Sequence, residues 1–474
     1  MISVSDDHHK TKERRFSKLD KILLFVVLFT ATCAPFATLA GMGPESPFVS
    51  NGFLSILLSI LAMTFFHFDE LKLDNGLKIL FIFSVVGSVT TLIMSFIISD
   101  KFGSLHGQSA MTASVPSICW LFFNFATALY FSWSYRRSSA HLLDAIFDCL
   151  VIFVLIISAL EILFGEALSG AIGRWIVLYD SNMINGRICG VASEPSAMAG
   201  VLGLFCLPYC YARFKHGGGK RYFIYFAALV IVAFFTKSTT VFITLVFVFM
   251  GIFVKEFGGV LRRNSGYLAL AISLTGLIII LTVTPALISG HSPSSSSFSG
   301  EISKVLSRAT STNDQSGAYR NSTIVNDWKI LAEYPFCGVG DGNQGFFYAQ
   351  NLPNWILLSG STETLDALAG AKGVLDGGAF IGSLISGYGI IGIAFFMGWL
   401  VFTLKKANSN KRGMGHYYDM YFIALCGAIP VLWMNLSFKG APVTAFAIFC
   451  LPYINAFSNS SEPHLNSPLV KEEK

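Results

Sequence analysis

Long apolar runs are the feature that most constrains how this chain can fold. Between residues 19 and 457 it repeatedly shows nearly uncharged stretches, and about 20 such residues are what a helix needs to cross the hydrocarbon core of a bilayer. Only 13% of the 474 residues are charged, whereas soluble globular chains carry roughly 25%. The runs are continuous and do not alternate with polar residues, which disfavours a transmembrane β-barrel. The sequence therefore predicts an all-α, polytopic transmembrane helix bundle.

We predict twelve spans and two long polar loops. The spans cover residues 22–42, 52–68, 79–98, 111–133, 145–164, 196–212, 222–236, 239–255, 267–289, 377–401, 418–435 and 441–457. One loop covers 165–195 and the other, large and partly helical, covers 290–376 between spans nine and ten. The predicted parts of the chain are an N-terminal tail (1–18), nine spans with the shorter loop (19–289), the large loop (290–376), three spans (377–457) and a C-terminal tail (458–474).

The distribution of positive charge predicts the orientation of these spans. Most of the 33 lysines and arginines fall in the two tails and in the loops on the same side as the tails. Under the positive-inside rule, both termini are cytoplasmic and the two long loops lie outside. The first apolar run is too long for a cleavable signal peptide and lacks a clear cleavage site, so it is predicted to be a true span. A net charge of +5 spread over the chain forms no basic groove, which excludes a nucleic-acid partner.

The first candidate site closes the shorter loop, where residues 187–196 read RICGVASEPS. Pro195 suits the first turn of a helix, with Ser193 or Glu194 as its cap, so the sixth span is predicted to begin here. A helix start that faces water attracts phosphate, and the planar guanidinium of Arg187 matches phosphate oxygens in a bidentate way. A capped helix with an ion pair between Arg187 and Glu194, and no substrate, explains the same residues equally well.

The second candidate site lies in the large loop, where Arg320 is followed by PFCGVGDGN at 335–343. Gly338, Gly340 and Gly342 allow positive φ or a close approach of the backbone to a ligand, and successive N–H groups in such a turn can form an anion nest. The spacing departs from the dinucleotide fingerprint, and no βαβ pattern surrounds it. The alternative is a simple turn before Phe346, Phe347 and Tyr348.

Several other residues near the predicted outer side are candidates for binding. Lysines and arginines are rare there and cluster in the long loops, which favours an anionic ligand and adds Arg174 and Lys237; the alternative is that long loops need charge to stay solvated. Glu161, near the outer end of the fifth span, is expected to need a partner or a polar cavity. Before the glycine-rich turn, the apolar stripe Ile324, Trp328 and Leu331 predicts packing on the membrane surface or on neighbouring spans.

Together these motifs resemble the O-antigen polymerase and ligase family of bacterial envelope proteins. The resemblance covers about residues 140–400 and rests on many spans, a large late outer loop, Arg-x-x-Gly followed by Ser-Glu-Pro-Ser, and an Arg-containing helix leading into Pro-x-x-Gly-x-Gly. It implies a GT-C-like membrane glycosyltransferase that acts on polyprenyl-pyrophosphate-linked oligosaccharides at the outer face of the bacterial inner membrane. Arg187 and Arg320 match arginines that the family uses on the pyrophosphate.

The resemblance favours a polymerase over a ligase. Ligases carry a functional His shortly after the glycine-rich turn, whereas here the next one is His416, which is predicted to be cytoplasmic. A polymerase would join repeat units into O antigen, capsule or exopolysaccharide, with a chain-length regulator and a lipid-linked oligosaccharide flippase as implied partners. An O-antigen ligase remains the alternative within the class. A secondary transporter is the alternative outside it, but two related halves and midplane charges are not evident.

The implied chemistry is an inverting displacement that needs no metal and no cofactor. Positive groups would stabilise the negative charge that develops on the leaving pyrophosphate, and a general base would take the proton of the acceptor hydroxyl. Glu194 is the first choice for that base and Asp341 the second. The residues predicted to bind and act on the substrate are Arg174, Arg187, Ser193, Glu194, Lys237, Arg320, Gly338, Gly340 and Asp341. Cys189 and Cys337, both predicted to lie outside, could form a disulfide between the two loops.

Overall fold

The computed structural model describes residues 17–32, 57–62, 73–105, 107–172, 187–192, 195–263, 315–348, 379–434 and 442–454. These residues are almost entirely helical, with one short hairpin of β1 (Ser104–Leu105) and β2 (Gln108–Ser109). The helices are α1 (Lys18–Thr32), α2 (Asn75–Phe102), α3 (Ala110–Arg137), α4 (Ala140–Ile172), α5 (Met198–Gly200), α6 (Leu207–Lys215), α7 (Lys220–Phe235), α8 (Thr239–Arg263), α9 (Gln315–Glu333), α10 (Gln344–Tyr348), α11 (Phe380–Ser409), α12 (Lys411–Met414), α13 (His416–Met434) and α14 (Pro442–Phe449). A π-helical stretch (Val201–Cys206) joins α5 to α6, and a 3₁₀ turn (Leu451–Tyr453) follows α14.

Five of the described helices are long and apolar enough to cross a membrane. They are Asn75–Phe102, Ala110–Arg137, Ala140–Gly165, Thr239–Phe257 and Phe380–Ser409, and each coincides with a predicted span. Helices also cover much of the predicted spans at 196–212, 222–236 and 418–435 and part of those at 22–42, 52–68 and 441–457. The predicted span at 267–289 lies outside the described residues. The structure is therefore that of an all-α membrane protein, and the number of twelve spans stays a prediction.

Side-chain caps and tight turns set where the long helices begin. The Asp74 carboxylate accepts a hydrogen bond from the Leu77 N–H (3.0 Å) at the start of α2, and the Ser109 hydroxyl accepts one from Thr112 (3.2 Å) at the start of α3. Such caps satisfy N–H groups that have no partner within the helix. The β1–β2 hairpin connects α2 to α3, so these two helices run antiparallel.

Small residues let the helices at the centre of the bundle approach closely. A Cβ on Gly427 of α13 would lie 2.5 Å from the Gly203 carbonyl oxygen of the π-helical stretch, and a Cβ on Gly203 would clash with Thr244 of α8. Membrane helices commonly associate through such small residues because lipid provides no hydrophobic drive to bring them together. The contact places the π-helical stretch between α8 and α13.

Charged residues collect at one end of the bundle, which we call the charged end. Asp74 at the start of α2 pairs with Lys406 near the end of α11 (2.9 Å) and with Arg136 at the end of α3 (3.3 Å). Because the start of α2 pairs with the ends of α3 and α11, α2 runs antiparallel to both helices, as the sequence predicts. The positive-inside rule predicts that this is the cytoplasmic side.

A second group of ion pairs extends the charged end across the bundle. Asp144 at the start of α4 contacts Arg213 of α6 (2.8 Å) and His416 of α13 (2.9 Å). Asp419, one turn further along α13, contacts Lys255 of α8 (2.7 Å) and Lys215 of α6 (3.2 Å). The loop of Arg187, the turn between α7 and α8 and the start of α11 consequently lie at the opposite end.

The helix of the large loop, α9, does not bury the whole apolar stripe predicted from the sequence. Trp328 is 50% exposed, whereas Ile324 and Leu331 are partly buried, so packing on the membrane surface or on neighbouring spans stays open. Among residues 323–333, whose side chains the structure describes, those that are buried are Thr323, Asn326, Asp327 and Ile330.

Candidate functional site

A buried carboxylate holds the loop that carries Arg187. Glu161 lies in the part of α4 away from the charged end, and its Oε1 and Oε2 atoms accept hydrogen bonds from the backbone N–H groups of Cys189 (2.9 Å) and Gly190 (2.6 Å). Gly190 has φ 59°, and a Cβ there would lie 2.9 Å from the Ser158 hydroxyl. Only glycine adopts this conformation and fits this space without strain. The sequence identified Glu161 as a carboxylate in a span that needs a partner, but it did not identify which groups those partners are.

The same loop brings Arg187 to the turn between α7 and α8. The Ile188 N–H donates to the Phe235 carbonyl (3.3 Å), and the Arg187 Nε–H donates to the Thr236 carbonyl (3.2 Å). The next residue, Lys237, has φ 48°, a left-handed conformation that is uncommon outside glycine. Arg187 is thereby held against the backbone of the turn that carries Lys237, a second predicted binding residue.

This arrangement is suited to an anion with several oxygens. The bond from Nε orients the plane of the Arg187 guanidinium, a group that matches phosphate oxygens through paired N–H donors. Lys237 adds a compact positive charge on a flexible stem. Electrostatic attraction is strong where the low dielectric of the bundle limits screening by water. The pair at this end of the bundle therefore forms a candidate diphosphate site.

The glycine-rich turn of the large loop packs against the backbone of α11. Gly338, Gly340 and Gly342 have φ of 61°, 79° and 93°, which confirms the prediction of positive φ. Their N–H groups donate to the Tyr334 carbonyl (3.0 Å), the Gly387 carbonyl (2.9 Å) and the Gln344 side chain (2.8 Å). These N–H groups have protein acceptors, so the predicted anion nest was wrong.

The partner of this turn is a break in α11. At Gly389 the backbone leaves the helical conformation (φ 60°, ψ −151°), so neighbouring groups lose their partners within the helix. The Ser386 carbonyl accepts from Val339 (2.8 Å), while the Ile390 N–H donates to the Pro335 carbonyl (2.8 Å). The turn and the break thus satisfy each other's backbone groups, as buried polar groups require.

Asp341 is enclosed within this packing. Its side chain is fully buried and accepts a hydrogen bond from the Gln344 amide (2.9 Å), while the neighbouring Asn343 amide donates to the Ser95 hydroxyl of α2 (2.9 Å). In the structure this carboxylate is enclosed between helices. Its role as the second-choice general base stays a prediction.

Other predicted site residues are placed only in part. Arg320 lies in α9, where the structure describes its backbone but not its side chain, and Arg174, Ser193 and Glu194 lie outside the described residues. The helix after the first motif begins at Met198, with Pro195 in the preceding turn, so the predicted helix start is about one turn too early.

The cysteines of the two motifs do not pair. Cys189 and Cys337 are not joined by a disulfide, so the hypothesis of a disulfide between the loops was wrong. The N–H of Cys189 donates a hydrogen bond to Glu161, and Cys337 lies in the turn that pairs with the α11 break.

Among the residues that the structure describes, no group of three or more His, Cys, Asp or Glu side chains is placed to hold a metal ion. The chain matches no protein-family model and no curated protein.

Proposed function

We propose that this chain is a membrane glycosyltransferase that joins polyprenyl-pyrophosphate-linked oligosaccharide units into a surface polysaccharide at the periplasmic face of the bacterial inner membrane. The observation that carries the proposal is the hydrogen bond from Arg187 Nε to the Thr236 carbonyl, which holds the Arg187 guanidinium against the turn that carries Lys237. They lie opposite the charged end, which the positive-inside rule assigns to the cytoplasm. The resemblance over residues 140–400 supplies the class of substrate.

In the proposed reaction, the acceptor hydroxyl oxygen attacks the anomeric carbon of the lipid-linked glycan. The hydroxyl proton passes to a general base, which we propose is Glu194. The anomeric C–O bond breaks with inversion. Polyprenyl pyrophosphate leaves with the bonding electron pair. Arg187 and Lys237 stabilise the charge that develops on it, and each well-placed donor of this kind contributes roughly 3–4 kcal/mol.

Complementation of a deletion strain tests this function. Arg187→Ala at matched expression is expected to reduce polymerisation about 10²–10³-fold, so that gels show single repeat units in place of a ladder. Arg187→Lys is expected to fail as well, because an ammonium group cannot supply both the Nε bond and the bidentate contact. The matched control is Lys329→Ala, which removes an exposed cation of α9 and should keep the ladder.

The same gels separate the competing functions. Accumulation of polymer that is not attached to the lipid core indicates a ligase, and normal ladders from Arg187→Ala would contradict the proposal. A transporter would change the supply of units without depending on the bidentate geometry of Arg187, so Arg187→Lys would then retain function.

A further inference from the structure

The described part of helix α9 turns polar side chains, together with Ile330, towards the protein and leaves two large apolar side chains exposed. Asn326 is 1% exposed and Asp327 is also buried, whereas Val325 and Trp328 are 40% and 50% exposed. A helix that covers an apolar core normally has the reverse arrangement. Apolar packing by Ile330 therefore accounts for only part of the buried face of α9.

Asp327 explains how α9 is attached. Its Oδ1 atom accepts a hydrogen bond from the Tyr348 hydroxyl of α10 (2.6 Å), and its Oδ2 atom lies so close to Gly382 that a Cβ there would clash with it. Gly382 lies in the first turn of α11, whose other end reaches Lys406 at the charged end. Asp327 thus anchors α9 at the same end of the bundle as Arg187.

Asn326 is not explained by this attachment. Both polar atoms of its amide, Oδ1 and Nδ2, are buried and make no hydrogen bond with the part of the chain that the structure describes. A buried amide that lacks partners destabilises the folded protein, and buried polar groups in native proteins are nearly always satisfied. An amide that is retained at such a cost points to a ligand that pairs with it.

We propose that Asn326 binds the saccharide of the lipid-linked substrate, an inference that rests on the proposed function. A side-chain amide is neutral and offers one donor group and one acceptor, which matches neighbouring sugar hydroxyls because each of these both donates and accepts. Phosphate oxygens only accept, and Arg187 and Lys237 already provide charged donors for them. Since the amide is enclosed, binding includes an outward shift of α9.

Thermal unfolding of the purified full-length protein in detergent, with two probes, tests this assignment. One probe is polyprenyl pyrophosphate without sugar, and the other is the same lipid carrying the repeat unit. Asn326→Leu removes both polar atoms at nearly constant volume. We expect it to unfold at the wild-type temperature or above, to keep the stabilisation by the first probe, to lose the additional stabilisation by the second, and to raise KM for the lipid-linked unit at least tenfold. Lys329→Ala, on the exposed face of the same helix, should keep both responses.

The outcomes separate failure of this inference from failure of the proposed function. Three results would each overturn the saccharide assignment. The first is that Asn326→Leu keeps the saccharide-dependent response and the wild-type KM, and the second is that the wild-type protein shows no such response. The third is that Asn326→Leu unfolds at a lower temperature than the wild type without any probe. If neither probe stabilises the wild type and Arg187→Ala changes nothing, the proposed function fails. Loss of the first response in Arg187→Ala, together with loss of only the second in Asn326→Leu, supports both.

Discussion

At the scale of single residues, Glu161 shows how one carboxylate can position the loop of a candidate site. Its two oxygens each accept one of two successive backbone N–H groups, those of Cys189 and Gly190. Buried charges are costly unless hydrogen bonds satisfy them, so the loop and the carboxylate depend on each other. The position of Arg187, two residues before Cys189, follows from this pairing.

Glu161→Gln is expected to release the loop. The glutamine oxygen can accept only one of the two bonds, and its NH₂ group then faces an N–H donor. We expect a loss of about 1–3 kcal/mol in the free energy of unfolding and a polymer ladder reduced at least tenfold, measured by thermal unfolding and by gel. The control is Glu256→Gln at the charged end, which removes a partly exposed pair with Lys215 and should keep the ladder. Equal behaviour of the two variants would contradict the role given to Glu161.

At the scale of elements, the glycine-rich turn and the broken helix α11 form one unit. A helix break exposes backbone groups that would be orphaned inside a membrane bundle, and the turn at 335–343 supplies their partners. The turn can approach so closely because Gly338, Gly340 and Gly342 carry no Cβ. The glycines that suggested a ligand site are therefore explained by the contact between two backbones.

Gly338→Ala is expected to destabilise the protein whether or not substrate is present. The left-handed conformation costs a residue with a Cβ about 1–2 kcal/mol, and the new Cβ would clash with the Ser386 carbonyl, so the total loss in the free energy of unfolding should exceed roughly 2 kcal/mol. The control is Gly398→Ala in α11, where a Cβ meets nothing within 4 Å and a gain of about 0.5–1 kcal/mol is expected. If Gly338→Ala unfolded at the wild-type temperature but made no polymer, a ligand nest would be the better explanation.

At the scale of the whole molecule, ion pairs at the charged end hold the alternating helices in register. Asp74 gathers Lys406 from α11 and Arg136 from α3, and it also accepts a hydrogen bond from the Tyr453 hydroxyl (2.8 Å). Burial by itself would raise the pKa of Asp74, but the Lys406 ammonium, the Leu77 N–H and the Tyr453 hydroxyl together hold that pKa below its ordinary value. The ionised form is thus the one that stabilises the fold.

The lowered pKa predicts a pH dependence of stability. The stabilisation is fully present above the unfolded pKa of about 3.9 and is lost as the pH falls through the folded pKa. We expect Asp74→Asn to lower the free energy of unfolding by about 1–3 kcal/mol at pH 6, and the difference from wild type to shrink below pH 4. Thermal unfolding in detergent between pH 3 and 7 measures this. Asp100→Asn, at the exposed far end of the same helix, is the control and should show neither effect; a constant deficit for Asp74→Asn at all pH values would refute the assignment.

The amino-acid sequence alone determined the class of fold and several local features. Apolar runs long enough to cross a bilayer satisfy the hydrogen bonding of their backbone groups by forming helices. The glycine spacing predicted positive φ at Gly338, Gly340 and Gly342. The class of fold depends on the surrounding solvent, and the positive φ depends on backbone sterics. Both effects act over a few residues along the chain. The directions of the helices also followed, because lysine and arginine recur at alternate ends of the apolar runs.

Only the tertiary structure decided which of these residues meet. The partner of Arg187 is a carbonyl in another loop, the anchor of that loop is Glu161 in an earlier span, and the glycine-rich turn meets a break in α11. These contacts depend on which helices become neighbours and at what depth, which is settled by packing across the whole bundle. A backbone carbonyl, unlike a charged side chain, also leaves no trace in the sequence, because every residue has one.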